Sequence, residues 1–138
     1  MRFLLSVAAA CLLAAPAFAN DLEYVPAVSD PVVKKECGAC HLAYPAKFLN
    51  AETWTKITSD LTNHFGEDAS LPADKVKTIQ AYYTQNAGRS QPGILRISQQ
   101  SWWLREHRAV GQSKFEKAKS KANCQACHEG ADKGQFEE

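Results

Sequence analysis

The chain of 138 residues contains one methionine, Met1. A metal site in the body of the chain therefore has no thioether donor and must use other ligands. Beyond Ala15 no stretch stays apolar for the roughly 20 residues that a membrane-spanning helix needs. Neither sign of charge is in excess, with 16 Lys and Arg against 15 Asp and Glu. That balance argues against a general nucleic-acid binder. A βαβ pattern is missing, and no repeat is detectable apart from one short motif that occurs twice.

The first nineteen residues read as a signal peptide. Arg2 supplies a positive start, Phe3 to Ala15 an apolar stretch, and Ala17-Phe18-Ala19 the small residues of a cleavage site. An uncleaved anchor is the alternative, but the apolar run is short and Asn20-Asp21-Leu22-Glu23 follows it with polar residues. Cys11 lies inside the apolar run and not at its end, which argues against a lipoprotein. Cleavage before Asn20 leaves 119 residues, one compact domain or two very small ones, with 15 basic and 15 acidic side chains. An exported chain of this kind is expected in the periplasm, not spanning the membrane.

Four cysteines remain, and their spacing is the decisive feature. Cys37-Gly38-Ala39-Cys40-His41 and Cys124-Gln125-Ala126-Cys127-His128 both read Cys-x-x-Cys-His, the attachment signature of a c-type haem. Cysteines three apart on a helical turn share a face, so both sulfurs can bond the vinyl groups of one porphyrin. The histidine one residue on falls on the same side, where it can serve as the proximal iron ligand. Two disulfides, a four-cysteine zinc site or a thioredoxin-type couple would use the same cysteines. None of them accounts for a histidine directly after each pair. Two covalently bound haem c groups are expected, with Cys37, Cys40, Cys124 and Cys127 as thioethers and His41 and His128 as proximal ligands.

Two histidines remain for two distal positions. Asn50 as an N-cap and Gly66 as a stop predict a helix over 51–65, with Trp54, Ile57, Leu61 and Phe65 along one stripe. His64 falls on or beside that stripe. A helix over 99–110 puts His107 in line with Trp103 and Val110. In an ordinary protein such histidines would be bonded to a carbonyl or exposed. With haems inferred, distal ligation by His64 and His107 is expected. Without methionine the His/Met ligation that raises potentials is excluded, so low potentials are expected.

The remaining chain reads as helix and loop. A tail over 20–30 leads to a haem helix over about 31–42, and Pro72 opens a helix reaching Gly88. The stretch from Gly88 to Ile97 is the expected internal boundary. Ser113 and Glu116 have the spacing of a capping box. They predict a helix with Phe115, Ala118 and Ala122 on its inner face, running into the second haem motif. Arg105, Arg108, Lys114, Lys117, Lys119 and Lys121 make 105–121 basic, while Glu129, Asp132, Glu137 and Glu138 make the end acidic. The basic stretch reads as a solvated face or as a docking patch for an acidic redox partner.

Longer motifs resemble a known family. The segment Asn123-Cys124-Gln125-Ala126-Cys127-His128-Glu129-Gly130-Ala131-Asp132-Lys133-Gly134-Gln135-Phe136 is similar to the diheme cytochrome c family of bacterial periplasms. So are Trp54 with His64-Phe65-Gly66-Glu67-Asp68-Ala69-Ser70-Leu71, and Leu95-Arg96-Ile97 with Trp102-Trp103-Leu104-Arg105-Glu106-His107. The similarity extends from about Tyr24 to Glu138. It implies an all-α fold: an N-terminal class I cytochrome c-like domain (20–88) with the first haem, then a small C-terminal helical segment (89–138) with the second. It also implies bis-histidine ligation, His64 pairing with His41 and His107 with His128; the sequence leaves a crossed pairing open. The implied role is an electron carrier and not an enzyme, taking electrons from a membrane b-type cytochrome and passing them to a small monohaem cytochrome. A haem enzyme or gas-binding sensor with one displaceable axial ligand is the alternative.

A core of 119 residues is modest, and two porphyrins would supply much of its apolar surface. Protein made without haem attachment is therefore expected to be largely unfolded; a native-like helical circular dichroism spectrum from such protein would refute this.

Overall fold

The computed structural model describes residues 25–137, so the signal peptide and its cleavage site lie outside the described residues. Among the described residues five α-helices carry the fold: α1 (Pro31–Cys37), α2 (Ala51–Ser59), α3 (Ala73–Gln85), α4 (Ser101–Glu106) and α5 (Gln112–Lys117). Short 3₁₀ turns link them, and among the described residues the only β pairing is an isolated bridge between His64 and Glu67. The all-α expectation holds. No helix among the described residues is long and apolar enough to cross a membrane.

Each helix is shorter than its periodicity predicts, for local reasons. α1 starts where Asp30 accepts hydrogen bonds from the Val32 and Val33 amides, with Pro31 in its first turn. It stops at Cys37 instead of near 42, so only the first cysteine of its motif is helical. Asn50 caps α2 as expected, accepting from the Thr53 amide at 2.8 Å. α2 ends at Ser59, however, because Asp60 turns out of the helical region (φ −135°, ψ 61°). Pro72 precedes α3 as its cap, and the helix ends at Gln85, short of Gly88. α5 starts from Gly111 without any side-chain cap, so the expected capping box does not form. Lys119 in the left-handed region (φ 64°) then breaks the helix that was expected to run into the second motif.

The main core lies under α1, α2 and α3. Val28, Val33, Ala46, Leu49, Trp54, Ile79 and Tyr83 are buried together. Trp54 stacks on Tyr83 at 3.9 Å and donates its indole N–H to the Ala46 carbonyl at 2.8 Å, so its one polar group is satisfied. The expected tail is anchored from Val25 on: Val25 is 2% exposed, and its amide donates to the Gly134 carbonyl at 2.9 Å. Gly134 (φ 79°) has no room for a side chain there, since a Cβ would lie 1.9 Å from the Val25 carbonyl oxygen.

The stretch 88–97 is bound on both sides. The Asn50 amide donates to Ser90 Oγ at 2.9 Å, and Asn50 Nδ2 donates to the Ser90 carbonyl at 3.1 Å. From the other side comes Gln100, which is wholly buried. Its Oε1 accepts from the Gln91 amide at 2.9 Å, and its Nε2 donates to the Ile94 and Gln91 carbonyls at 2.7 and 3.3 Å. One side chain thus substitutes for secondary structure in a loop that has none. Gln100→Ala leaves three part-buried backbone groups without their partner and is expected to lower stability by about 1 kcal/mol, read as a shift in the denaturation midpoint of the haem-loaded protein. An unchanged midpoint would refute that role.

Candidate haem sites

The first motif straddles a helix end. Cys37 closes α1 and is half-buried, while Cys40 and His41 lie in the following turn and are exposed. The ring of His41 faces that of His64, with centroids 6.2 Å apart and planes 17° from parallel. His64 is not on a helix face, as the stripe of α2 had suggested. It begins a tight turn in which its amide donates to the Glu67 carbonyl at 2.8 Å and the Glu67 amide donates back at 3.2 Å. Phe65 (φ 57°) and Gly66 (φ 106°) at the turn's centre are both left-handed. Glycine does this freely, whereas phenylalanine is strained there. Phe65 is 41% exposed, with its ring under the Arg96 guanidinium at 4.6 Å. Gly66 thus serves the turn that presents His64 and does not end α2.

The second motif lies in a 3₁₀ turn, Cys124–Ala126, with Cys127 and His128 just after it. His128 and His107 face each other at 6.2 Å, their planes 85° apart. His107 immediately follows α4 and stacks on Trp103, one helical turn earlier, at 4.0 Å and 12°. The spacing of four that marked His107 therefore reflects a contact that the helix makes. The facing rings are those of the uncrossed pairing.

Hydrogen bonds fix which ring nitrogen each histidine offers. Nδ1 of His41 lies 2.8 Å from the Leu42 carbonyl, Nδ1 of His107 2.9 Å from the Trp103 carbonyl and Nδ1 of His128 3.4 Å from the Glu137 carbonyl. A carbonyl only accepts, so each Nδ1 carries a hydrogen; in the neutral ring Nε2 then keeps its lone pair, the usual state of a metal-bound imidazole. Nδ1 of His64 is buried with no partner among the described residues. Burial, and then the charge of His41, hold His64 below its ordinary imidazole range, which favours the neutral form that can bind a metal.

These rings fit a haem. An iron bonding two imidazole nitrogens at about 2 Å each, as metals bond histidine, holds the ring centres about 6 Å apart because each centre lies about 1 Å behind its nitrogen. Both pairs have that spacing. The first thiol of each motif does not resemble those of a redox couple or a zinc site, which are held as thiolates. Burial pushes Cys124 up to about 11 and raises Cys37 as well. Among the described residues no three His, Cys, Asp or Glu side chains converge on a point where a metal ion could sit.

The sequence matches the family described as dihaem cytochrome c over residues 33–136. The chain belongs to the dihaem cytochrome c family. Its fold is similar to that of DHC purified from Rhodobacter sphaeroides, with a TM-score of 0.76 and 48% identity over 80% of this chain and 99% of that one. A diheme cytochrome c from the same organism gives a TM-score of 0.76 and 44% identity, covering 81% of this chain and 100% of that one. The diheme cytochrome type c of Shewanella baltica gives 0.70 and 35%, covering 78% and 86%. A search of curated proteins gave no match. Two covalently bound haem c groups are the cofactors, and electron transfer is the chemistry that this dihaem cytochrome family implies.

Contacts that periodicity does not predict join the two halves of the dihaem chain. Tyr44 stacks on His41 at 4.9 Å and donates its hydroxyl to the Ala122 carbonyl at 2.8 Å. Phe48 is buried between Trp102 and Phe136, each at 5.1 Å, and Phe136 also touches His128 at 5.6 Å. The only sequence signal for Tyr44 is its place just after an attachment motif and before Pro45, which says nothing about the second motif.

Proposed function

We propose that this protein is a periplasmic electron carrier in which both irons are sealed by two histidines. Cys37 and Cys40 bind the first haem and His41 and His64 its iron; Cys124 and Cys127 bind the second haem and His107 and His128 its iron. On this reading residues 1–19 are a cleaved signal peptide, 20–88 form the first haem unit and 89–138 the second. The observation that carries it is the spacing of 6.2 Å within both imidazole pairs; two histidines on each iron would leave it no open position. Each haem supplies a one-electron ferric/ferrous couple. The protein's part is to hold the rings still. Three carbonyls orient three imidazoles through Nδ1, and Trp103 holds His107 by stacking. With nothing to rearrange, electrons can pass without substrate chemistry.

The donor we propose is a membrane b-type cytochrome and the acceptor a small monohaem cytochrome. Exposed Arg108, Lys114, Lys117, Lys119 and Lys121 give the second unit a positive face on which an acidic partner can dock. Such docking weakens with salt, so a partner reaction whose rate is indifferent to ionic strength would count against it.

A second reading is a gas-binding or catalytic haem at the first site. The observation that favours it is His64, which lacks a partner for Nδ1 and is presented by a strained turn. Carbon monoxide separates the two readings. The reduced protein is expected to keep its low-spin spectrum under carbon monoxide, whereas His64→Ala and His107→Ala should each open one haem and shift the Soret band. A shift in the unmutated protein would favour the second reading.

The two pairs differ in ring orientation, 17° against 85°. Near-parallel imidazoles split the iron orbitals they donate into, and perpendicular ones leave them nearly degenerate. The ferric protein is thus expected to show two low-spin electron paramagnetic resonance signals, one rhombic and one strongly anisotropic, and two steps in a redox titration. A single signal with a single potential would overturn this assignment.

A further inference from the structure

Tyr44 is the residue whose side chain reaches from one haem site to the other. Its ring lies 4.9 Å from that of His41, 21° from parallel. Its hydroxyl donates at 2.8 Å to the carbonyl of Ala122, two residues before Cys124. Its backbone is held from behind, since the Tyr83 hydroxyl donates to the Tyr44 carbonyl at 3.2 Å and Tyr83 stacks on the buried Trp54. Other links join the halves elsewhere: Phe48 reaches Phe136 and through it His128, Arg96 lies over Phe65, which packs edge-on to His64, and Asn50 binds Ser90. A cleft of about 410 Å³ lies where the two motifs meet, with Cys40, His41, Tyr44, Ala122, Asn123 and Gln125 in its wall.

We propose that Tyr44 is the positioning residue for electron exchange between the two haem sites: its ring holds the His41 imidazole while its hydroxyl fixes the segment that carries Cys124. The inference rests on the reading of His41 as an iron ligand. Exchange moves one electron from the reduced site to the oxidised one. No proton moves, no bond forms or breaks, and the tyrosine keeps its hydroxyl hydrogen throughout. A short path of ring contact, hydrogen bond and three covalently linked residues then joins the His41 imidazole, which would bind the first iron, to Cys124, which would bind the second haem. Its loss lets the second haem segment shift against the first, and electron transfer falls steeply with such displacement.

The test uses the haem-loaded protein and two variants. Tyr44→Phe keeps the stacked ring and removes the hydroxyl; Tyr44→Leu removes both. The rate of electron redistribution after a sub-stoichiometric reducing pulse is measured together with both reduction potentials and the ferric resonance spectrum. Tyr44→Phe is expected to slow redistribution severalfold, with both low-spin signals and both potentials near their original values. Tyr44→Leu is expected to slow it further and to alter the signal of the His41 site. Tyr44→Phe carries the test alone if Tyr44→Leu does not fold. An unchanged rate in a Tyr44→Phe protein that keeps both low-spin signals would overturn the role of Tyr44 and leave the ligand assignment standing. A high-spin haem in the unmutated protein would overturn both.

Discussion

Within each of two pairs the imidazoles stand 6.2 Å apart, a spacing that suits a metal ion between them, and contacts on either side hold each pair open. Left to packing alone, stacked rings would close to about 4 Å, as Trp54 and Tyr83 do. The rings of His41, His107 and His128 are steadied by hydrogen bonds between Nδ1 and a backbone carbonyl, and His64 by the tight backbone turn that presents it. The carbonyls therefore do two things at once. They stop the rings from turning, and they decide which nitrogen keeps a lone pair.

Much of the described chain is irregular, and α4 and α5 have six residues each. Backbone groups of the loop over 88–97 are satisfied by single side chains, those of Gln100 and Asn50. Buried polar side chains of this kind are costly unless every atom is paired. Gln100 satisfies this condition in full, because its oxygen accepts one bond and its nitrogen donates two.

Chemistry was more legible in the sequence than geometry. The two Cys-x-x-Cys-His motifs specify cofactor and attachment because their spacing is set by the porphyrin and not by the surrounding fold. The line from Trp103 to His107 was readable because both belong to one helical turn, and Asn50 was readable because an N-cap is a local event. His64 was singled out for a reason that does not hold. The apolar stripe was extended past Asp60, where the backbone leaves the helix, and the residue faces His41 through a turn that helical periodicity does not describe. The helix into the second motif failed in the same way at Lys119, whose positive φ no propensity anticipates. Tyr44 and Gln100 were invisible because their partners are distant in sequence or lie in an aperiodic loop.

The bond between Val25 and Gly134 ties the first described residues to almost the last. A polypeptide emerges from its N-terminus, so Val25 is made early and must wait for nearly the whole chain before its partner exists. The first attachment motif is likewise complete long before the second. The bond that joins the two ends can therefore close only once Gly134 has been made, whereas Asn50 can meet Ser90 and Tyr44 can meet Ala122 earlier, so the junction of the ends is among the last native contacts to become possible.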